Sequence, residues 1–391
     1  MNSIFQKGSL SDIALVTMGQ SPKKQFVSPN KIGLPLLNGP TEFGNSHPTP
    51  VQWSSSFSKT AEVGDILFCV RGSTTGRMNW ADQRYAIGRG IASIRPITPE
   101  ERHFVRGAIK ILLPELLAAT TGSTFPNISR TQLSDLPLPL PPALERVEIS
   151  KLLAALDDKI ESNERATHQL TLLERAYWEK WCEGNERTEL FTKHFTPHLG
   201  GTPKRSNLAD WNGNISWASV RDMSGAIHGI LVETADKISE SAARRSKRFH
   251  PLPEGSVFLT ARGTVGKVVV NAMPCAINQS AYAFRSGTYG SVVTRLVVED
   301  LVTELRSRAH GSTFNAITSA DMTGLRIPSL SQNGFENLRN KLDLVEKRRI
   351  QSVRETQVLK TLRDALLPEL MSGRIRVPEA REAVVDAIGG E

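Results

Sequence analysis

The chain has 391 residues, a formal net charge of +8 and a hydrophobic fraction of 39%, a composition that suits two or three soluble domains with ordinary cores and excludes a disordered polymer. No stretch approaches the roughly 18 uninterrupted apolar residues of a membrane span, and the start lacks the apolar core of a secretion signal, so a cytoplasmic protein is expected. Cys69, Cys182 and Cys275 are odd in number and lack CxxC spacing, which predicts reduced, mostly buried thiols rather than a disulfide framework or a zinc site.

In chain order, residues 1–142 carry an excess of five positive charges. The run Asp65-Ile66-Leu67-Phe68-Cys69-Val70 is rich in β-formers and ends at Arg71-Gly72, a strand followed by a turn. A second strand is predicted at 91–94, a helical patch at 104–117, and a Gly-Ser-Thr-Phe segment at 122–125. The prolines of 136–142 then close the region, because they prevent helix continuation.

From Ala143 to Cys182 there is no Gly or Pro, and Ile149, Leu152, Leu156, Ile160, Leu170, Leu173, Tyr177 and Trp181 fall at helical spacing. The region 143–187 has a net charge of −3.

The next region, 188–332, repeats the first. Residues 255–266 restate 64–76 with the same Arg-Gly-Ser/Thr turn at Arg262-Gly263-Thr264, and 311–317 restate 122–128. It has strands at 256–260 and 281–284, a helical patch at 291–308, and again a charge of +5. A second helix follows over 333–376, with Leu338, Leu342, Val345, Leu359, Leu362, Leu366 and Leu370 on its apolar stripe and Gly373 at its end. The last stretch, 377–391, is an acidic tail.

A repeat this long makes each copy a whole domain plus a helix. Each helix is expected to run about 60 Å, more than a small domain needs. Both stripes are polar near the middle, at Asn163 and Thr167 and at Arg349, Ser352 and Thr356. Two solvated surface helices would explain this; so would a coiled coil in which central polar residues fix the register. Length and repetition favour the coiled coil, and equivalent departure points make it antiparallel.

The expected fold class is therefore α+β, with two similar globular α/β domains separated by two long helices that pair as an antiparallel coiled coil with pseudo-twofold symmetry. Its packing residues are Leu152, Leu156, Ile160, Leu170, Leu342, Val345, Leu359 and Leu362. The domains divide at 1–142, 143–187, 188–332, 333–376 and 377–391. Excess positive charge in both globular copies suits a polyanion, because neutralising phosphates releases condensed counterions.

Gly200-Gly201-Thr202-Pro203-Lys204-Arg205-Ser206 followed by Asp210-Trp211-Asn212-Gly213-Asn214-Ile215-Ser216-Trp217 is the most specific local phrase. It resembles the opening of the target recognition domain in specificity subunits of Type I restriction-modification systems. Met18-Gly19-Gln20-Ser21-Pro22 gives the same pattern only in outline, so the second copy carries the signature more clearly. The Gly-Asp-Ile-Leu strand, the Arg-Gly-Ser/Thr turn, the Gly-Ser-Thr-Phe segment and the ending Leu366-Leu367-Pro368-Glu369-Leu370-Met371-Ser372-Gly373 also look like that family.

The resemblance implies a non-catalytic subunit that reads double-stranded DNA, each recognition domain taking one half of a bipartite asymmetric site while the helices set the gap. It implies two methyltransferase subunits as partners, with a motor nuclease subunit as a further one. This chain is expected to bind no cofactor, S-adenosylmethionine belonging to the methyltransferase.

On their own chemistry Arg71 and Arg262 suit guanine edges or phosphate, or else a structural turn. Ser73, Thr74 and Thr264 add hydroxyls, and Lys23, Lys24, Lys204 and Arg205 occupy turns suited to phosphate. Arg77 and Arg221 complete the DNA-binding candidates with Arg244, Arg245 and Lys247 of the densest basic run. The phrase 261–267 superficially resembles a phosphate-binding loop, but Ala261 and Val268 stand where a glycine and a hydroxyl are required. Asp222 has no second acid or lysine beside it in sequence, and His194, His198, His228 and His250 lack metal-ligand spacing. Two alternatives remain at this level: a self-contained DNA-modifying or DNA-cleaving enzyme, and a structural coiled-coil protein.

Overall fold

A computed structural model describes residues 5–119, 127–285, 287–308 and 316–389. The Gly-Ser-Thr-Phe segments at 122–125 and 311–314 lie outside the described residues. The helices are α1 (Arg102–Ala118), α2 (Arg130–Ser134), α3 (Ala143–Glu183), α4 (Phe191–His194), α5 (Val220–Gly225), α6 (Glu240–Arg245), α7 (Gly290–Arg308), α8 (Phe335–Ser372) and α9 (Val377–Gly389). The chain forms two compact units, Met1–Glu161 with Val358–Glu391, and Ser162–Gln357. Each therefore contains one half of α3 and one half of α8.

In the first unit a four-stranded antiparallel sheet runs in the order Ala14–Met18, Ile91–Pro96, Ile66–Cys69, Met78–Trp80. One face packs Ile66, Phe68 and Ile94 against Phe104, Val105, Ile109 and Leu112 of α1. The same core takes in Ile149, Leu152 and Leu153 of α3 and Leu366, Leu367 and Leu370 of α8. The acidic end of the chain is α9, whose Val377 and Ala380 join this core, while Arg376 and Arg381 pair with Glu145 and Glu148 of α3. A second sheet pairs Leu34–Leu37 with Tyr85–Ile87 in parallel.

The second unit repeats that order with His198–Leu199, Ala281–Phe284, Val257–Thr260 and Val268–Asn271, and adds Ile230–Leu231 at the edge. Its core sets Val257, Leu259 and Phe284 against Val293, Leu296, Val297 and Leu301 of α7. Its second sheet keeps a parallel pair, Trp211–Ala218 with Cys275–Ile277, as Leu34–Leu37 pairs with Tyr85–Ile87, but has three strands against five, with Asp236–Ile238 on the other side. The duplication thus preserves the first sheet, its helix and the parallel pair of the second sheet, while the outer strands of the second sheet diverge.

The motif residues have structural reasons. Asp65 is buried, accepting two hydrogen bonds from Arg95 at 2.8 and 2.9 Å, one from Ser93 Oγ at 2.6 Å and one from the Glu62 amide at 2.9 Å. Ser256 takes its place in the second unit and donates to the Pro253 carbonyl at 2.8 Å. Gly19 and Gly200 play one role: their amides bond to the carbonyls of Ile91 and Ala281, and a Cβ would meet carbonyl oxygens at 2.2 and 2.3 Å. Ser21 Oγ accepts from the Arg89 amide, while Thr202 Oγ1 donates to Gln279 at the corresponding place. The outline motif of the first copy performs the work of the full one.

The long helices pair antiparallel within each unit. In the first, Leu156 and Ile160 of α3 pack on Leu359 of α8, and Asp157 pairs with Arg363 at 2.7 Å. In the second, Trp181 packs at a tilt against Phe335 with ring centroids 5.8 Å apart, and Glu174 meets Arg349. The central polar residues Asn163, Thr167, Arg349, Ser352 and Thr356 are all buried. Thr167 and Thr356 donate to the carbonyls four residues back, Asn163 and Ser352, at 2.7 and 2.8 Å, which satisfies the hydroxyls within their own helices.

Leu152 and Leu342 are buried, whereas Leu170, Val345 and Leu362 are only half-buried. One part of the predicted stripe is displaced. Leu173 is exposed and Tyr177 and Trp181 lie at the core's margin; Glu174 and Trp178 hold the central positions. Glu174 can do so because Arg295 donates to it at 2.6 Å. Burial and the neighbouring Glu346 charge push the Glu174 carboxyl up to about 8, against the pull of Arg295 and Arg349. Trp178, fully buried, donates from Nε1 to Asp300 at 3.0 Å.

Candidate nucleic-acid interface

The Arg-Gly-Ser/Thr turns are the same structure twice. Gly76 donates to the Cys69 carbonyl at 2.8 Å and Gly266 to that of Thr260 at 2.9 Å, so each turn folds back on the strand it leaves. Gly72 and Gly76, like Gly263 and Gly266, have φ between 80 and 92°, the left-handed region that favours glycine. Arg71 bridges Asn127 and Arg262 bridges Ala316, and the next amides, of Ile128 and Ile317, bond to the carbonyls of Val70 and Ala261.

The side chains differ. Arg71 Nε donates to Asn127 Oδ1 at 3.0 Å, which fixes its exposed guanidinium. Ala316 offers no such side-chain acceptor, and the Arg262 guanidinium has no hydrogen-bond or ion-pair partner among the described residues, although its amide donates to the Ser280 carbonyl at 3.2 Å. Ser73, Thr74 and Thr264 are exposed on the turns, and Lys23 and Lys24 are exposed on a separate short 3-10 turn.

Other predicted residues are engaged. Arg77 donates to the carbonyls of Pro40 and Phe43 at 3.2 and 2.8 Å, holding that loop. The guanidinium of Arg205 lies 3.7 Å from the Trp211 ring centroid and 5.3 Å from that of Trp217, and pairs with Asp236 at 2.6 Å. Arg245 pairs with Asp210, and Arg244 with Glu240 one helical turn away at 2.5 Å.

Two basic segments far apart in sequence nonetheless converge. Trp217 Nε1 donates to the Gly201 carbonyl at 2.9 Å, and a Cβ on Gly201 would stand 3.0 Å from Arg248 Cβ. Trp211 and Trp217 share a small core with Ala242 and Ala243 of α6, with Phe249 packed against it. The loop holding Lys204 and Arg205 and the run holding Arg245 and Lys247 therefore meet around one tryptophan pair. Lys204 and Lys247 stay exposed there.

A cleft of roughly 830 Å³ runs from Arg205 and Asp236 to Ser219, Arg221 and Asp222. Its acid Asp222 is structural: it accepts from the amide and hydroxyl of Ser219, capping α5, and from the Ala235 amide at 3.1 Å. Val220, beside Arg221, lies 3.5 Å from where a Gly263 Cβ would be, so Arg221 and the Arg262 turn are neighbours.

Sequence reasoning placed Arg248 in the densest basic run and Trp211 and Trp217 in the most specific phrase, but did not foresee that the tryptophan pair frames this surface. The signal available was the spacing of two tryptophans on one strand beside a basic run. His194 lies between Tyr289, at 2.6 Å, and Glu189. Among the described residues, no three or more His, Cys, Asp or Glu side chains are grouped to hold a metal ion. Cys69 and Cys275 are buried and Cys182 partly so; burial pushes the Cys275 thiol up to about 12 and that of Cys182 to about 11. Among the described residues no helix is long and apolar enough to cross a membrane.

Residues 2–172 match the family model described as the Type I restriction modification DNA specificity domain. This first part of the chain is similar to the DNA specificity domains of Type I restriction-modification systems. The match falls on the first copy, which sequence reading took as the fainter one; its Gly19 and Ser21 contacts show why a weak opening phrase is compatible with a well-formed domain. The MjaX specificity subunit of Methanocaldococcus jannaschii is 33% identical over 156 residues, 40% of this chain and 36% of the relative. The type I restriction enzyme MjaIX specificity subunit of the same organism is 21% identical over 66% of this chain and 65% of its own length. The chain thus spans less than two thirds of either curated relative. The S subunit of a Type-I restriction-modification system from M. genitalium matches with a TM-score of 0.64 and 16% identity, covering 95% of this chain and 96% of that one. That likeness is one of fold.

Proposed function

We propose that this chain is the DNA sequence-specificity subunit of a Type I restriction-modification complex. Each globular unit reads one half of a bipartite asymmetric site in double-stranded DNA, and the paired helices set the gap. The observation that carries this reading is the first sheet with its Arg-Gly turn preserved in both units beside a second sheet whose outer strands differ between them, five strands against three. A shared scaffold with divergent loops suits two different half-sites. The complex works in the cytoplasm, with two methyltransferase subunits docked on this chain and an ATP-dependent motor nuclease as a further partner. S-adenosylmethionine is held by the methyltransferase, and this chain has no catalysis of its own.

Within the interface, Arg262, Thr264, Arg221, Lys204 and Lys247 are the contacts of the second unit, and Arg71, Ser73, Thr74, Lys23 and Lys24 those of the first. Arg262→Ala is expected to relax specificity at one base position at a cost of about 1 to 3 kcal/mol if it reads a base. Arg71→Ala does the same in the other half-site, with a smaller loss because Asn127 already occupies part of its fork. Selection from a randomised DNA library with the assembled complex measures both. Purified chain incubated with DNA, Mg²⁺ and S-adenosylmethionine should transfer methyl groups only when a methyltransferase partner is added. Turnover by the lone chain would sink the non-catalytic reading.

A further inference from the structure

The two long helices superpose in sequence at a separation of 189 residues, which aligns Ile149 with Leu338, Leu153 with Leu342, Leu156 with Val345, Asn163 with Ser352, Thr167 with Thr356 and Leu170 with Leu359. Chemistry is conserved at all of these. Packing differs at further positions, as at Leu152 against Lys341 and Trp178 against Leu367, and charge breaks at two inward-facing positions: Ile160 against Arg349, and Glu174 against Arg363. Both breaks fall in one structural feature, an ion cluster where the helix of the globular domain meets the long helices.

In the first unit the cluster is built on Asp157 of α3. Arg106 of α1 reaches it at 3.4 Å, Arg363 of α8 at 2.7 Å and His103 at 3.3 Å. In the second unit the same separation places Arg295 of α7 for Arg106, Glu346 of α8 for Asp157, and Glu174 of α3 for Arg363. There Arg295 pairs with Glu174 at 2.6 Å, and Arg349, standing where the first unit has Ile160, meets Glu346 at 2.8 Å and Glu174 at 3.4 Å. All four of these side chains are buried. One unit therefore sets two guanidiniums around one carboxylate, and the other sets two guanidiniums among carboxylates.

We infer that these clusters form a pairing code that seats each half of α3 against α8 and rejects α3 or α8 of a second copy of this chain. The apolar and central polar positions aligned above discriminate little, because they are alike in the two helices. The charged ones can. An α3–α3 pairing brings Glu174 to the place of Arg363, so Asp157 exchanges a guanidinium for a second carboxylate with no Arg349 nearby. An α8–α8 pairing brings Arg363 to the place of Glu174, leaving three arginines around Glu346. Removing a partner from a buried charge is strongly unfavourable, and like charges at close range add to the cost.

The test uses the full chain carrying a protease site after Gly184, in the exposed turn that follows α3. The chain is purified intact, nicked, taken through a urea concentration that separates the two pieces, and returned to buffer. Native mass spectrometry then counts heteropairs and homopairs. The natural sequence should return heteropairs in roughly tenfold or greater excess over homopairs. Glu174→Arg with Arg363→Glu rebuilds a balanced cluster only in homopairs and should reverse the excess. Should that variant fail to fold, Glu174→Gln with Arg363→Gln decides: near-statistical mixing supports the code. Natural-level heteropair excess in the variant, or homopairs from the natural sequence, overturns it.

Discussion

Replacing Arg205 by lysine separates holding the fold from holding DNA. The guanidinium lies 3.7 Å from the Trp211 ring centroid, faces Trp217 at 5.3 Å and pairs with Asp236 at 2.6 Å, yet its side chain is 57% exposed. Lysine keeps the charge and loses the plane and the fork. An exposed cation–π contact is worth about 0.5 to 1 kcal/mol and an exposed ion pair about 0.2 to 1 kcal/mol, so the expected loss is roughly 1 to 2 kcal/mol. Hydrogen exchange at the amides of Trp211–Ala218 should then quicken about 5- to 30-fold if they open with this subdomain. The salt dependence of DNA binding should stay the same, since the charge remains. Unchanged exchange with a weakened complex would refute the structural role and return Arg205 to the contact surface.

Three further outcomes follow from the same packing. Trp178→Ala should cost the second unit about 3 to 5 kcal/mol, seen as faster exchange in α7 and in Val257–Thr260 with α1 unaffected. Gly19→Ala and Gly200→Ala each force a Cβ onto carbonyl oxygens at 2.2 to 2.3 Å and should lower thermal stability, whereas Gly39→Ala, with nothing within 4 Å of its Cβ, should be neutral. Although burial opposes it, hydrogen bonds from His103 and Arg363 and the charges of Arg363 and Arg106 draw the Asp157 carboxyl from 3.8 down to about 2. A depressed carboxylate stabilises the fold above its unfolded value and loses that contribution as pH falls through the folded value, so the stability deficit of Asp157→Asn, about 2 kcal/mol at pH 6, should shrink between pH 4 and pH 2 in urea titrations.

What could be read from the sequence was what local chemistry enforces. Glycines demanded by left-handed turns and close carbonyls repeat because nothing else fits, and the four prolines of 137–142 close a domain because a run of them leaves too few amide donors for a helix. Apolar spacing found Leu152, Leu156 and Ile160 for the same reason. It misled at Leu173, which is exposed, and passed over Glu174, because a carboxylate becomes a core residue only when an arginine 121 residues away arrives to meet it. Arg77 and Arg205 look like free cations until a carbonyl or a tryptophan pair is placed beside them. The helix α9 was legible only as an acidic tail, since its apolar face is short and its meaning depends on the core it covers.

The central claim, that this chain selects where a partner methylates, is tested most directly by long-read methylation mapping of the host genome with the gene present and deleted. The account predicts that methylation of one bipartite, asymmetric motif disappears on deletion, and that only one of its halves changes when residues 1–142 are exchanged for the first domain of a Type I specificity subunit with a different target. Methylation that is unchanged by deletion, or an exchange that alters both halves together, contradicts it.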